Sequence, residues 1–388
     1  MLHQDQVEQA RKLLAHLQGR TTALAEGVYR NVVSDYTCPE QAARERDLFF
    51  RHGPLCIGLS CLLPAAGDFL THDYAGVPIL LVRQRDGSLR AFLNVCRHRG
   101  ARLAEGRGAD VRDFSCPYHG WCYGLDGALL SRPDEASFAE IDKAARSLRA
   151  LPLVEKYGMV WLSPTPGASF DVDPMLSGLE RDLVAYRLDR YHHYETRVLQ
   201  RRINWKVAVD TFLELYHLNV LHPRTVGPIL YSNLATFDAF GRNLRMIGAR
   251  RTISELRETP EAEWDLIRYS AVICVLFPNT VFIMQGDHLE TWHMFPAGNG
   301  VDESVMYASL YTPQPALTES ARRHWDRNMD LLMATVEKED FPLSEGMQRG
   351  FYSGAQQEVI FGRNEPSLQH FHKSVKAALA ASGGAIGG

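Results

Sequence analysis

Cys96-Arg97-His98 and Cys116-Pro117-Tyr118-His119 stand seventeen residues apart, and the reading of the whole chain turns on this pair of loops. Each half offers one thiol and one imidazole. Arg99-Gly100 follows the first half and Gly120-Trp121 the second, so each donor pair sits on a short turn. Two cysteines and two histidines can close on zinc as a tetrahedral structural site. Zinc fingers, however, usually keep their histidines together at one end, as His-x-x-x-His. One Cys and one His per loop suits instead a two-iron, two-sulfur cluster in which imidazoles replace thiolates on one iron. That exchange removes negative charge and raises the reduction potential.

The array Cys-x-His-x17-Cys-x-x-His, with Cys116-Pro117-Tyr118-His119-Gly120-Trp121 as its second half, resembles the cluster domain of the Rieske non-haem iron oxygenases. The resemblance implies that Cys96, His98, Cys116 and His119 hold a Rieske [2Fe–2S] cluster. Respiratory Rieske proteins carry two further cysteines, which form a disulfide beside the cluster. Ala101 and Tyr118 stand at those positions here, which points to the oxygenase and ferredoxin branch and to a lower potential.

The chain has 388 residues, room for two or three domains. It is 45% hydrophobic and 23% charged, as expected of an ordinary globular protein. Its net charge of −4 argues against a general binder of nucleic acid or membrane surface. No apolar run reaches the roughly 18 residues that span a bilayer. Met1-Leu2-His3-Gln4-Asp5-Gln6 shows no basic-then-apolar leader, so no signal peptide is expected. The seven cysteines are scattered and odd in number, and five lie outside the motif as expected free thiols. That usage fits a reducing cytoplasm.

Along the chain, residues 5–30 read as helix, with Val7, Ala10, Leu13, Leu14 and Leu17 on one stripe and Gly19 as a stop. A second amphipathic stretch covers 39–51. From Pro54 the texture turns to short β runs. Residues 79–82 and 91–95 are strand-like around an Asp86-Gly87 turn, Asp126-Gly127 marks a second turn, and 159–162 reads as the last strand. Ser163-Pro164-Thr165-Pro166-Gly167 reads as a linker. The expected division is therefore a helical segment at 1–44 packing on the catalytic domain, a small β domain with the cluster at 45–165, and a catalytic domain at 166–388. In that last part, 174–188 and 204–221 read as helices and 194–203 as a strand. Short strands follow at 271–277, 281–284 and 289–295, and 318–337 is a long helix. Trp325, Met329, Leu332 and Val336 make a stripe along it. The fold class is α+β: a β cluster domain, then a helix over an antiparallel sheet, an arrangement that can enclose a pocket. The Ser382–Gly388 tail alone is of low complexity.

A second donor set lies on the 204–221 helix. Asp210, Glu214 and His217 are spaced i, i+4, i+7 and would share one face. His222 comes five residues after His217, which turns it about 140° away on an ideal helix. Both can meet one metal only if the helix bulges or ends between them, and Pro223 favours an end. Two imidazoles and one carboxylate on one face of an iron leave open positions for O2 and substrate.

The array Asn204-Trp205-Lys206, Asp210, Glu214, His217, His222 is similar to the mononuclear-iron helix of the same oxygenases. The resemblance implies that a Glu-Asp pair supplies the carboxylate, so Asp340 is the third ligand of an Fe(II), with Glu337 and Glu339 as second choices. The bland reading of those two is a solvated acidic end, and it is preferred. Glu214 would bridge by hydrogen bonds from an iron-ligating histidine to a cluster histidine of a neighbouring subunit. A Glu at that place resembles the subgroup acting on quaternary ammonium compounds. Asp210 would support it, a plain surface carboxylate being the equal alternative. Leu218, Phe282, Met284, Trp292 and Met294 are candidate pocket walls, each also a natural core residue.

The resemblance thus implies a terminal oxygenase, most simply a homotrimer. It would use O2, a small organic substrate and electrons from a separate NAD(P)H-dependent reductase, with or without a ferredoxin, since no Gly-x-Gly-x-x-Gly fingerprint is present. Ring hydroxylation of an aromatic compound is the first expectation, and N-demethylation or hydroxylation of a quaternary amine the second. A bare Rieske electron carrier is the competing class, but it needs only ~100 residues.

Overall fold

The computed structural model describes residues 1–74 and 76–383. The chain forms two compact units: Arg46–Val172, and Met1–Glu45 together with the chain from Asp173 onward. The last five residues of the tail lie outside the described residues.

The Arg46–Val172 unit is built mainly of short strands, with a π turn at Arg46–Arg51 and short 3-10 turns between them. A five-stranded antiparallel sheet runs in the order Ala150–Leu151, Leu89–Leu93, Val77–Arg83, Phe69–Tyr74, Arg107–Gly108. Two three-stranded sheets complete it. One contains Leu55–Leu59 and Met159–Leu162, the other Asp113–Ser115, Cys122–Gly124 and Leu129–Ser131. The Asp126-Gly127 turn is real, with Gly127 at φ +84° beneath the Phe92 ring. No β-carbon fits there, so both the backbone angle and the close approach demand glycine. Residues 163–167 do not behave as a free linker. Ser163 is fully buried, Thr165 Oγ1 donates to the Arg51 carbonyl at 2.6 Å, and the unit runs on to Val172.

In the other unit, α1 (His3–Gly19) ends where Arg20 turns left-handed at φ 51°, so the expected 5–30 helix is shorter. Residues 29–32 leave it to pair, antiparallel, with Glu358–Phe361. Seven antiparallel strands build the main sheet: β1 (His192–Arg201), β2 (Leu230–Phe240), β3 (Asn243–Arg250), β4 (Ser270–Leu276), β5 (Thr280–Met284), β6 (Leu289–Pro296) and β7 (Ser304–Thr312). Their order across the sheet is β1-β7-β6-β5-β4-β3-β2.

The expected 204–221 helix is broken in two. Only α2 (Trp205–Asp210) and α3 (Leu218–Leu221) are helical, with turns and bends between. Asn204 caps α2 by accepting from Lys206 N at 3.0 Å. The long helix α4 (Glu319–Thr335) is capped by Thr318, whose Oγ1 accepts from Ala321 N at 3.1 Å. It widens into a π turn at Val336–Asp340 and continues as α5 (Phe341–Phe351). Such a turn inserts an extra residue and often marks a functional site.

One buried ion pair ties α2 to the N-terminal segment. Lys206 Nζ donates to Glu45 Oε1 at 2.7 Å and Trp205 Nε1 to Glu45 Oε2 at 2.9 Å, and both charged side chains are 1% exposed. Removing one partner from such a pair leaves a buried charge alone and costs about 3–5 kcal/mol. Glu45→Leu is therefore expected to destabilise by about that much. The double variant with Lys206→Met should lose far less. Denaturation midpoints of the two variants check this, and equal losses in both would mean that an unpaired buried charge is not the source of the loss.

Candidate metal centres

The two cluster loops repeat one backbone design. Cys96 N donates to the Ala101 carbonyl at 2.7 Å and Gly100 N to the Cys96 carbonyl at 3.0 Å. In the second loop Cys116 N donates to the Trp121 carbonyl at 2.8 Å and Gly120 N to the Cys116 carbonyl at 2.9 Å. Gly100 and Gly120 have φ of 86° and 69°, the left-handed conformation that closes each turn. Both cysteines are buried in the core of this unit, with Leu80, Phe92 and Tyr123. The Tyr123 hydroxyl lies 3.4 Å from Cys96 Sγ and accepts from Arg97 N at 2.9 Å.

The His98 and His119 rings stand 4.7 Å apart, and His98 stacks on Trp121 at 4.7 Å with planes 4° apart. Both Nδ1 atoms are buried without a hydrogen-bond partner. Buried polar atoms are rarely left so, and an unfilled ligand position accounts for the two orphans. Burial, with His119 and Arg99 nearby, lowers the His98 pKa and favours the neutral imidazole that binds metal. The four side chains therefore fit a [2Fe–2S] cluster, with thiolates for one iron and imidazoles for the other.

In the second unit the break between α2 and α3 turns both histidines inward. His217 ends that break and His222 closes α3, and their ring centroids are 5.0 Å apart. The π turn brings Asp340 to them. Its Oδ1 is 3.0 Å from His222 Nε2 and 3.6 Å from His217 Nε2. One donor atom from each residue lies within 4.8 Å of the other two, the only such group of three among the described residues.

Each imidazole is held from behind by a glutamate. His217 Nδ1 hydrogen-bonds Glu214 Oε1, and His222 Nδ1 hydrogen-bonds Glu339 Oε2 at 2.6 Å. Glu214 Oε2 also accepts from the backbone N–H groups of Tyr216 and His217, and Glu339 from Thr225 Oγ1 at 2.6 Å. With Nδ1–H donated to a carboxylate, Nε2 is the free donor on both rings. Burial opposes a proton on His222, but the bonds to Asp340 and Glu339 outweigh it and raise its pKa. Burial raises that of Asp340. Two Nε2 atoms and a carboxylate on one side suit a divalent iron, which would take the place of the direct His222 Nε2–Asp340 contact.

The preferred reading of Glu339 as a solvated acid is thus corrected, because it grips His222. Glu337 instead pairs with Arg201 at 2.8 Å. Asp210 does not share a helix face with Glu214, since the chain leaves the helix between them. It accepts from the Tyr36 hydroxyl at 2.8 Å and meets His372 Nε2 at 2.8 Å.

A cavity of about 700 Å³ opens beside the three donors, roofed by α4 and floored by the sheet. Phe212, Leu218, Ile273, Ile283, Leu332 and Val336 form its apolar wall. Of the expected wall residues only Leu218 lines it. Phe282 and Met284 flank Ile283 on β5, so alternation points them to the other face, where Phe282 meets Tyr186. Trp292 and Met294 share the face of Glu290, which does line the cavity, but lie further along β6, where Phe212 and Phe341 cover Trp292 at 5.1 and 6.2 Å.

Residues 53–152 match the Rieske [2Fe-2S] domain family, and residues 188–381 match the ring hydroxylating alpha subunit (catalytic domain) family. The chain belongs to the Rieske oxygenase alpha-subunit family. That family carries a [2Fe–2S] cluster in the first domain and a mononuclear non-haem iron in the second. The glycine betaine monooxygenase oxygenase subunit of Chromohalobacter salexigens is 32% identical over 197 residues, covering 50% of this chain and 43% of that one. The carnitine monooxygenase oxygenase subunit of Escherichia coli K12 is 34% identical over 193 residues, 48% of this chain and 50% of that one. The chain spans about half the length of these curated relatives. Choline monooxygenase of Beta vulgaris matches more extensively, at 27% identity over 87% of this chain and 74% of its own. The solved structure of the quaternary ammonium Rieske monooxygenase CntA with an inhibitor superimposes with a TM-score of 0.78 at 23% identity, over 91% of this chain and 95% of that one. Naphthalene 1,2-dioxygenase with indole gives 0.72 at 18%, over 90% and 92%. At those identities the likeness speaks for the Rieske oxygenase fold. No helix among the described residues is long and apolar enough to cross a membrane.

Proposed function

We propose that this chain is the terminal oxygenase of a multicomponent system that oxidises a quaternary ammonium compound by N-demethylation or hydroxylation. Electrons come from a separate NAD(P)H-dependent reductase, with or without a ferredoxin, and O2 is the oxidant. The observation that carries the reading is the convergence of His217, His222 and Asp340 on the wall of the cavity. A pure electron carrier has no use for that second donor set. The cluster, held by Cys96, His98, Cys116 and His119, supplies electrons one at a time, and the mononuclear iron supplies the oxygen chemistry. The chain's own residues set the stage. Glu214 and Glu339 fix which nitrogen each imidazole presents, and the apolar wall holds the substrate body and excludes water. The names of the relatives and the glutamate at position 214 support the quaternary amine. An aromatic substrate is the second reading, favoured by the volume of the cavity and by its apolar wall of Phe212, Leu218, Ile273 and Ile283. A homotrimer, with Glu214 at the junction between subunits, completes the proposal.

The test is metal content and product. The holoprotein should contain about three irons per chain, where a carrier would hold about two. With reductase, it should release formaldehyde or hydroxylated product from betaines and leave benzoates untouched; the opposite preference would establish the aromatic reading. In the cluster domain, His98→Ala should abolish the Rieske optical and electron-spin signals, and a normal spectrum in that variant would remove His98 from the ligand set.

A further inference from the structure

Two arginines, Arg250 and Arg268, line the cavity and have no part in holding metal, and among the described residues Arg250 is the one with a hydrogen bond to another lining residue, Gln285. Arg250 ends β3 and lines the cavity with a half-buried side chain. Its guanidinium is bound only by neutral acceptors: Nε donates to the Ser270 carbonyl at 3.3 Å and Nη2 to Gln285 Oε1 at 2.8 Å. Nη1 has no hydrogen-bond partner among the described residues. The carboxylates in range are already engaged. Glu290 Oε1 is held by His288 Nε2 at 3.1 Å and Gln285 Nε2 at 3.3 Å, and Asp287 by His288 Nδ1 at 2.7 Å and His324 Nε2 at 3.0 Å. Burial correspondingly depresses the Arg250 pKa. His288, clamped between those two acids, is raised to about 9 and balances one of them as a cation.

This polar cluster lies away from the metal donors. Asp287 bonds His324 near the start of α4, Asn328 lines the cavity one turn on, and Asp340 lies beyond the far end of that helix. Leu331, Leu332, Thr335 and Val336 line the stretch between. The site therefore has a cation at one end, an apolar middle and the metal donors at the other.

We infer that Arg250 is a specificity-determining residue that anchors a carboxylate on the substrate, holding the carbon to be oxidised at the opposite end of the cavity. An arginine fork pairs well with a carboxylate, and the resulting bond is charge-assisted. The inference rests on the reading that this cavity holds the substrate, but not on which body the carboxylate is attached to. A quaternary amino acid and an aryl alkanoic acid both carry the group.

The experiment is calorimetric titration of the holoprotein without reductase, using two matched pairs: γ-butyrobetaine and its amide, and 4-phenylbutyrate and its amide. At least one acid should bind tighter than its amide. Arg250→Gln should weaken that acid by about 10- to 100-fold and leave the amide unchanged. Arg250→Lys, which keeps the charge without the fork, should retain part of the preference and decides the matter if the glutamine variant fails to fold. Acid and amide binding alike in wild type, equal losses for both in a variant, or no binding by either acid would overturn the anchor. An Arg250-dependent preference confined to 4-phenylbutyrate would keep the anchor and remove the quaternary amine.

Discussion

Asp340→Ala is expected to leave a protein with about two irons per chain, an unchanged Rieske spectrum and no measurable turnover. Among the described residues Asp340 is the one carboxylate paired with both imidazoles, at 3.0 and 3.6 Å. Without it two imidazoles remain, too few for a divalent iron that otherwise has a facial set of three. Loss of an outer partner alone costs about 10–100-fold in affinity or activity, so loss of a ligand should exceed that. The cluster should survive because its ligands lie in another compact unit with its own core. Iron analysis and electron-spin spectra of the purified variant provide the check. Disappearance of the cluster signal would mean that the two centres are not independent.

Glu214→Gln should keep both metals and any trimer, yet turn over at least about 10–100-fold more slowly. Glu214 does three things at once: it accepts from His217 Nδ1 and from two backbone N–H groups. Glutamine keeps the length but loses the charge and one acceptor. If Glu214 also bridges to a cluster histidine of a neighbouring subunit, the substitution slows electron delivery as well. Glu339→Gln is the contrast, since Glu339 supports His222 from the π turn and has no bridging role in the proposal. In a single turnover from a reduced cluster, cluster oxidation should slow in Glu214→Gln and stay near wild type in Glu339→Gln. Wild-type oxidation in both would leave Glu214 as a support for His217 and nothing more. A monomer in sedimentation at working concentration would remove the bridge altogether.

The cluster loops were legible because their donors are crowded into two short turns, where spacing alone constrains geometry. His217, His222 and Asp340 were named from their pattern, but the local structure that unites them was not. A continuous helix was expected over 204–221, with Asp210, Glu214 and His217 sharing a face at i, i+4, i+7 spacing. Tertiary packing overrides that signal, and the chain unwinds after Asp210. Glu339 looked like one acid among several at a helix end. Its grip on His222 depends on a π turn, which leaves no mark in hydrophobic periodicity. The pocket walls failed for a simpler reason. Side chains alternate along a strand, so an error of one position on β5 exchanges Phe282 for Ile283. Strands β2 and β3, not foreseen, add Leu230 and Arg250 to the lining.

The π turn at Val336–Asp340 has a consequence for how this segment can change over evolutionary time. Two adjacent residues, Glu339 and Asp340, reach opposite nitrogens of one imidazole. Their phase is set by the count of residues in the turn, not by any single side chain. Exposed Lys338 between Glu337 and Glu339 is free to drift. An insertion or deletion of one residue is not tolerable, because it would swing both acids off His222 together by about 100°. Sequences descended from this one should vary in letter at 338, keep the acids at 339 and 340, and never change the length of 336–340.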